Sequence, residues 1–258
     1  MGQPTPRCVT ERTDATGRNG YRERMSSPPP LAGAVDHTAD AARAAVAFVK
    51  PRLRGVSHEL AFPVSLLAGA WAVVHAPAGT PRTATAIYAA TLSACLGVSA
   101  LYHRGRWSDR ARAWLRRLDH ATIFMLIAGT FTPIAAIALS GSLSVATLAI
   151  VWGSAVAGSI VTTVWTNAPV VVEVGPYIAV GSFGVVLMPH LLLNVGPVGL
   201  GLLALGGAMY VAGAVVYALQ RPNPWPRTFG FHEIFHVMVI TAAVLQWIVI
   251  TRWVVPAA

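Results

Sequence analysis

Charged residues are scarce in this sequence, because they make up only 11% of its 258 residues against about 25% in a typical soluble domain. This shortage argues against a soluble enzyme. Because a membrane-spanning helix takes about 20 mainly apolar residues, the positions of the few charges predict an all-α, polytopic membrane protein with a bundle of seven transmembrane helices. Five stretches of 18 or more residues carry no charged residue, and the third and fourth are each long enough for two helices: 60–81, 83–103, 120–172, 174–220 and 234–251.

Cysteine is nearly absent as well, and no cleavable signal peptide is visible. Two cysteines are too few for a disulfide framework. Residues 1–40 lack the apolar core of about 7–15 residues that a signal peptide needs, so the first span is expected to act as the insertion signal. Because these residues are rich in Arg, Gly, Ser, Thr and Pro, they are predicted to form a disordered basic tail. Residues 41–57 are predicted to be a juxtamembrane segment, of which residues 41–55 could form a short basic helix on the membrane surface.

Loop signals divide the two long uncharged stretches at Ser140-Gly141-Ser142 and at Asn194-Val195-Gly196-Pro197, as expected for turns. If the N-terminus is cytoplasmic, 17 of the 19 Lys and Arg residues lie on the cytoplasmic side. The positive-inside rule therefore predicts this orientation in the cell membrane, and it accounts for the net charge of +9 without a nucleic-acid partner. The seven-helix domain is predicted at 58–254, with spans at 59–76, 83–103, 118–139, 143–164, 175–193, 197–219 and 230–251.

Four ionisable residues lie at one depth, the cytoplasmic end of the predicted spans. His103 closes the second span, Asp119 opens the third, and His232 and His236 lie in the first turns of the seventh. Ionisable groups at membrane depth are costly and are therefore functional candidates. The i, i+4 spacing of His232 and His236 puts both imidazoles on one helix face, which suits two ligands of a tetrahedral metal. His103 is a plausible third ligand, with Ser99 one turn before it, and Zn²⁺ is the favoured ion for nitrogen ligands with one open position.

Two interpretations of Asp119 are open at this stage. It could bind the water at the fourth position of the metal, or it could accept a hydrogen bond from a ligand histidine. A single histidine at the end of a span is most often an interfacial or hydrogen-bonded core residue. The metal-site hypothesis therefore depends on the agreement in depth among all four residues.

Residues 232–236 also match H-E-x-x-H, the zinc metalloprotease signature, in which Glu233 would be the general base. Only three positions of this motif are fixed, and no downstream Asp-Gly motif of the kind found in intramembrane metalloproteases follows position 236. Glu233 is therefore expected to be a solvated carboxylate near the headgroups or a partner of the helix N-terminus.

The other histidines of the predicted spans receive structural interpretations. His58, at the inner end of the first span, is expected to be interfacial, with a supporting role at the metal site as the alternative. His75 and His190 fall at the opposite membrane face and are expected to be boundary residues. His120 neighbours Asp119 but points elsewhere on the helix.

These residues lie in four segments that resemble the bacterial hemolysin III family, part of the progestin and adipoQ receptor group. The resemblance covers about 50–254, and the N-terminal tail is longer than expected of bacterial members. It implies a cytoplasmic N-terminus and a zinc ion held by His103, His232 and His236, with Asp119 contacting the water at the metal and Ser99 nearby. The four segments are KPRLRGVSH at 50–58, SALYH at 99–103, LDHATIFMLIAGTFTP at 118–133 and GFHEIFHV at 230–237.

Two functions of different classes follow from the residues and the resemblance. The first is a zinc-dependent hydrolase of lipid amides, as the resemblance to receptors thought to hydrolyse ceramide-like amides implies. In it Asp119 would be the base and Ser99 would donate a hydrogen bond to the developing oxyanion. The partners would be membrane lipids and a ceramide-like or acyl-chain ligand. The second is a non-catalytic sensor or homeostasis protein in which zinc ties the second and seventh spans together.

A transporter and a pore-forming cytolysin are less well supported. The third to sixth spans offer no acidic residue for an ion pathway except Glu173, which falls at a predicted loop. A seven-helix bundle with an internal metal site is also not typical of a pore former.

Overall fold

Helices make up nearly all of the described chain. The computed structural model of the protein describes residues 50–165 and 168–258. No strand occurs within these two ranges, so the all-α prediction is confirmed for them. The predicted tail at 1–40 and residues 41–49 of the juxtamembrane segment lie outside the described residues. The helices are α1 (Val56–His75), α2 (Thr80–Arg104), α3 (Asp109–Ala138), α4 (Gly141–Val164), α5 (Val170–Ser182), α6 (Gly184–Leu219) and α7 (Phe231–Val249), followed by a π-helical turn (Ile250–Val254) and a 3₁₀ turn (Val255–Ala257).

Among residues 50–165 and 168–258, six helical stretches are long and apolar enough to cross a membrane. One of them, which joins α5 and α6, is much longer than a single span. It runs for 50 residues from Val170 to Leu219, or about 75 Å of helix at 1.5 Å per residue, whereas the hydrocarbon core of a bilayer is roughly 30 Å thick. Its backbone leaves the helical region at Gly196, where φ is 68° and ψ is 176°. This departure lies inside the break predicted at 194–197.

Helix α3 begins earlier than the sequence predicted. The apolar span was expected from residue 118, but the helix starts at Asp109, directly after Ser108. The side chain of Ser108 accepts a hydrogen bond of 3.4 Å from the backbone N–H of Ala111, as a helix N-cap does. The arginine-rich stretch 109–117 continues the helix beyond the apolar span because arginine is a good helix former.

Small residues allow the helices to approach one another closely. Ala128 of α3 and Val151 of α4 are fully buried in one apolar cluster. A Cβ atom added to Gly69 of α1 would lie 2.8 Å from the Cβ atom of Ala89 on α2. A Cβ atom on Gly206 of α6 would lie 2.7 Å from a side-chain atom of α7. Close approach at small residues is typical of helices that associate in lipid.

The outer faces of the helices are apolar as well. Leu60, Leu67 and Val74 of α1 and Leu193 of α6 are exposed large side chains, as are many others around the described helices. Soluble monomers rarely expose contiguous apolar surface on this scale, but lipid chains cover it without cost. The exposed faces therefore agree with a multi-pass membrane protein.

Candidate metal centre

Two helices bring the three predicted histidines together at one end of the bundle, here called the histidine end. His103 lies in the last turn of α2, which ends at Arg104. His232 and His236 lie in the first turns of α7, which begins at Phe231. The i, i+4 spacing puts both α7 imidazoles on one face of the helix, as the sequence predicted, and both rings contact His103 of α2.

The ring nitrogens of these three histidines form a compact set. Each residue offers one nitrogen, and the three nitrogens lie within 4.8 Å of one another. The Nε2 atoms of His103 and His232 are 3.2 Å apart. Zinc–nitrogen bonds of about 2.0–2.1 Å at tetrahedral angles place two ligand nitrogens about 3.4 Å apart, so the cluster needs only small side-chain movements to hold an ion.

Burial at the cluster also fits a metal ligand set. His236 is only 1% exposed, and its Nδ1 atom is buried without a hydrogen-bond partner among the described residues. His103 is buried too. His103 and His232 are within hydrogen-bonding distance of each other, but this single contact leaves the buried His236 ring without a partner at Nδ1 in the described chain. Buried polar atoms are nearly always paired, so the cluster fits a bound cation better than a packed core.

Asp119 faces the same nitrogen of His103 that faces His232. Its Oδ2 atom lies 3.6 Å from the Nε2 atom of His103, which is beyond hydrogen-bonding distance, and the side chain is buried. An acceptor that only orients a ligand histidine would bind its other ring nitrogen. The geometry therefore favours the first of the two interpretations of Asp119, because its carboxylate lies on the side of the His103 ring that faces His232.

A large apolar cavity begins at the histidine end. It has a volume of about 560 Å³, and the side chains of His236, Asp119 and Ser99 form part of its wall. Small-molecule sites are typically clefts of about 300–1,000 Å³ lined mainly by apolar groups. Most of the remaining lining is apolar and comes from α3, α5, α6 and α7, for example Ile123, Phe131, Met188, Leu200 and Val239. The cavity is therefore suited to an elongated apolar ligand with one end at the histidines.

Glu233 is not the solvated carboxylate that the sequence led us to expect. It is only 2% exposed, and both of its oxygens are engaged. Oε1 accepts from Nε of Arg54 at 2.5 Å, and Oε2 accepts from the backbone N–H of Gly230 at 2.8 Å. The second contact satisfies the α7 N-terminus, which was the other expectation for Glu233. A carboxylate committed in this way is poorly placed to act as the general base of an H-E-x-x-H protease.

The chain before α1 crosses the histidine end as an irregular strap, residues 50–55. The backbone N–H groups of Arg52 and Leu53 donate to the carbonyls of Arg227 at 3.0 Å and Thr228 at 3.2 Å. The strap continues in turns up to α1, so the described part of the predicted juxtamembrane segment is not a surface helix before residue 56. It ends at Gly55, whose φ of 82° is unfavourable for residues with a Cβ atom.

The strap also contacts His103 directly. The Lys50 ammonium group donates to the carbonyl of His103, and a Cβ atom on Gly55 would lie 2.5 Å from the Cβ atom of His103. Partial burial, followed by the charges of Arg112, Arg54 and Arg104, lowers the pKa of Lys50. Positive charge is therefore concentrated around the backbone of the cluster.

His58 lies beside the three histidines, and the prediction that it is an interfacial residue was wrong. It was expected to be interfacial, but it is only 3% exposed. Its ring stacks on His236 with 3.9 Å between the ring centroids and 14° between the planes. The one sequence signal that could have found it is its depth, because it lies at the inner end of the first span.

The remaining histidines of the described residues lie outside the cluster. His120 contacts Glu173, with 2.5 Å between Nδ1 and Oε1, and is not one of the converging histidines. Glu173 lies in the first turn of α5 rather than in the predicted loop. His190 is exposed. His75 is exposed too, and its Nδ1 atom lies 2.8 Å from the carbonyl of Trp71.

Comparison with known proteins gives one consistent family. A family model described as haemolysin-III related matches residues 46–247. "Hemolysin-3" of Bacillus cereus is 31% identical over 141 residues, which cover 55% of this chain and 62% of that protein. The "Hemolysin-3 homolog" of Bacillus subtilis strain 168 is 29% identical over 126 residues, covering 49% of this chain and 56% of that protein.

A more distant relative comes from an animal. The "Adiponectin receptor protein" of Drosophila melanogaster is 30% identical over 185 residues, covering 59% of this chain and 38% of that protein. The chain thus spans about six tenths or less of the length of each of these relatives.

Proposed function

The chain belongs to the hemolysin III family, and from that membership and the geometry of the cluster we propose that it is a zinc-dependent hydrolase of lipid amides in the cell membrane. One observation carries the proposal. Three imidazole nitrogens within 4.8 Å of one another lie at the wall of an apolar cavity of about 560 Å³. A metal site beside a space of acyl-chain size is what cleavage of a lipid next to its polar headgroup requires.

His103, His232 and His236 hold the metal in this proposal. Three neutral nitrogen donors and an open fourth position suit Zn²⁺. A zinc ion held there supplies a Lewis acid that polarises the amide carbonyl and lowers the pKa of water toward about 7. His103 and His236 are buried, which limits their contact with bulk water and strengthens electrostatic interactions within the site.

Asp119 is the general base. In amide hydrolysis a C–O bond forms and the C–N bond breaks, while one proton moves from the attacking water to the leaving nitrogen. The Asp119 carboxylate lies 3.6 Å from the Nε2 atom of His103, on the side where the water must be. It accepts the proton from the water and then delivers it to the amine.

Ser99 and the cavity position the substrate. Ser99 is buried and lies one helical turn before His103 on α2, so its hydroxyl can donate a hydrogen bond to the carbonyl oxygen as negative charge develops there. The apolar cavity takes the acyl chain, and burial of the chain holds the amide at the histidine end.

The membrane topology proposed with this function has seven crossings and a cytoplasmic N-terminus. The break at Gly196 divides the 50-residue stretch Val170–Leu219 into two segments, each long enough to cross the membrane. The Lys and Arg residues of the strap and of the 104–117 region then lie on the cytoplasmic side. The metal centre is at the inner end of the bundle.

Replacement of Asp119 by asparagine tests the proposed chemistry. With the protein in mixed micelles containing N-oleoyl-sphingosine, we expect Asp119→Asn to retain stoichiometric zinc and to lower the rate of fatty-acid release by about 10²–10⁴-fold, the usual contribution of a general base. Asp109→Asn is the matched control, because Asp109 is an exposed carboxylate at the start of the same helix. Unchanged hydrolysis in Asp119→Asn with zinc retained would exclude Asp119 as the base.

A non-catalytic zinc-stapled sensor or homeostasis protein is the second candidate. The observation in its favour is that the donors come from α2 and α7, with His103 and His232 separated by 129 residues. A shared ion would cross-link these two helices. On this hypothesis, removal of zinc by a chelator lowers the melting temperature of the wild type, while the zinc-loaded protein consumes no ceramide. Release of fatty acid by the loaded protein, lost on chelation and restored by zinc, would rule it out.

A further inference from the structure

His58 has an unusual environment for a buried histidine. It lies in the first turn of α1 and is only 3% exposed, yet neither ring nitrogen has a hydrogen-bond partner in residues 50–165 or 168–258. Buried polar side chains are usually held by hydrogen bonds. The parallel contact between its ring and the ring of His236 is therefore what defines its place at the histidine end.

His58 is not one of the three converging histidines. The nitrogens that lie within 4.8 Å of one another belong to His103, His232 and His236. Its route of influence on the cluster is thus through the face of the His236 ring.

The His236 ring has no other parallel neighbour in the described chain. The plane of the His236 ring makes angles of 58°, 74° and 51° with the ring planes of His103, His232 and Phe235. The angle between the His236 and His58 ring planes is only 14°. A metal-ligating histidine is normally oriented by a hydrogen bond from its second nitrogen. The Nδ1 atom of His236 has no hydrogen-bond partner within the described residues, so no hydrogen bond at that nitrogen fixes the plane of the ring, and packing against His58 is the contact that can do so.

We propose that His58 is a positioning residue that sets the plane of His236 by ring stacking, so that a His236 nitrogen points toward His103 and His232. Offset stacked aromatic rings attract one another, and a flat neighbour restricts rotation of the imidazole about the bond that joins it to Cβ. This inference rests on the metal-binding part of the proposed function and does not depend on hydrolysis.

The strap explains why His58 is itself well placed. His58 follows Gly55 by less than one helical turn, and Gly55 packs against His103. Immediately before Gly55, Arg54 is paired with Glu233, which lies between the two histidines of α7. The start of α1 is therefore anchored to both helices that carry the cluster, and it places the His58 ring against His236.

A series of substitutions at position 58 separates ring stacking from other roles. The proteins are titrated with Co²⁺, whose visible absorption reports the coordination geometry, and Zn²⁺ affinity is then measured by competition with a chelator. We expect His58→Leu and His58→Ala to weaken metal affinity by about 10–100-fold, as loss of an orienting neighbour does, and to change the Co²⁺ spectrum. His58→Phe keeps a flat aromatic face without nitrogens, and it is expected to restore both affinity and spectrum.

The controls make each outcome decisive. His75→Ala removes a histidine that stacks on Trp71, away from the cluster, and is expected to leave the Co²⁺ spectrum unchanged. Alanine at position 58 leaves a void beside His236, and this variant could fail to fold for that reason alone. In that case His58→Leu is the variant compared with His58→Phe.

Two results would overturn the inference while the wild type still binds metal. The first is a His58→Leu variant with the metal affinity and Co²⁺ spectrum of the wild type. The second is a loss of metal affinity in His58→Phe equal to that in His58→Leu, which would assign the effect to the ring nitrogens of His58 rather than to stacking. A wild-type protein that binds neither Co²⁺ nor Zn²⁺ would overturn the metal centre and this inference together. Metal binding without ceramide hydrolysis would overturn only the hydrolase.

Discussion

Replacement of His236 by alanine is expected to remove the metal ion from the purified protein. His236 supplies one of the three nitrogens that lie within 4.8 Å of one another. If an apparent zinc-binding free energy of about 12 kcal/mol is shared among three ligands, each is worth about 4 kcal/mol, or nearly 1,000-fold in affinity. Metal content per protein, measured by elemental analysis after dialysis against a weak chelator, should therefore fall from about one to near zero.

His190→Ala is the matched control for this experiment. His190 is an exposed histidine of α6 and is not among the converging residues, so the variant should keep its metal. His236→Gln, which retains a polar side chain of similar size, checks that the loss is not a packing defect. Full metal content in both His236 variants would contradict the assignment of the cluster.

Replacement of Glu233 by alanine is expected to destabilise the fold strongly. Its carboxylate is buried, is paired with Arg54 at 2.5 Å, and accepts from the N-terminus of α7 at Gly230. Removal of one partner of a buried ion pair typically costs about 3–5 kcal/mol, because the other charge is left uncompensated. The free energy of unfolding, measured by denaturant titration in mixed micelles, should fall by about this amount.

The pair between Arg104 and Glu59 is the matched control for Glu233. It also joins two elements at the histidine end, with 2.6 Å between Nε and Oε2, but both side chains are nearly half exposed. Glu59→Ala should therefore change the free energy of unfolding by no more than about 1 kcal/mol. An equally small effect of Glu233→Ala would contradict the structural role of Glu233.

The variant Glu233→Gln, measured for both stability and peptide cleavage, tests the metalloprotease hypothesis. A general base in an H-E-x-x-H motif can be replaced by glutamine with loss of peptide cleavage and little change in stability. On the structure described above, Glu233→Gln should instead weaken the contact to Arg54 and lower stability, and the protein should have no peptidase activity to lose.

The parts of the candidate site that could be predicted from the sequence are those set within one segment. The spacing of His232 and His236 follows from the geometry of a single helix. The common depth of His103, Asp119 and the α7 histidines follows from the ends of apolar stretches, and membrane thickness puts those ends in register. The convergence of the three histidines in the structure agrees with that argument.

The burial of Glu233 and of His58 could not be predicted from the sequence, although the contact of Glu233 with the N-terminus of its helix was one of the two expectations. Position 233 lies beside the apolar stretch of the last helix, so a solvated carboxylate was the simpler expectation until the strap brought Arg54 to it. His58 lies at the end of a span, where histidines are commonly interfacial. Its burial depends on how α1 is rotated about its axis, and no pattern within α1 specifies that rotation.

Charge distribution and helical periodicity are properties of contiguous segments, and for this chain they were sufficient to establish a helical membrane protein with three histidines at one depth. The ring stack on His236 and the pairing of Arg54 with Glu233 join residues that are 178 and 179 positions apart. Contacts of that kind are selected by the packing of whole helices against one another, because side-chain shape and close approach at small residues choose which faces meet. They became visible only once α1, α2 and α7 were assembled around the cluster.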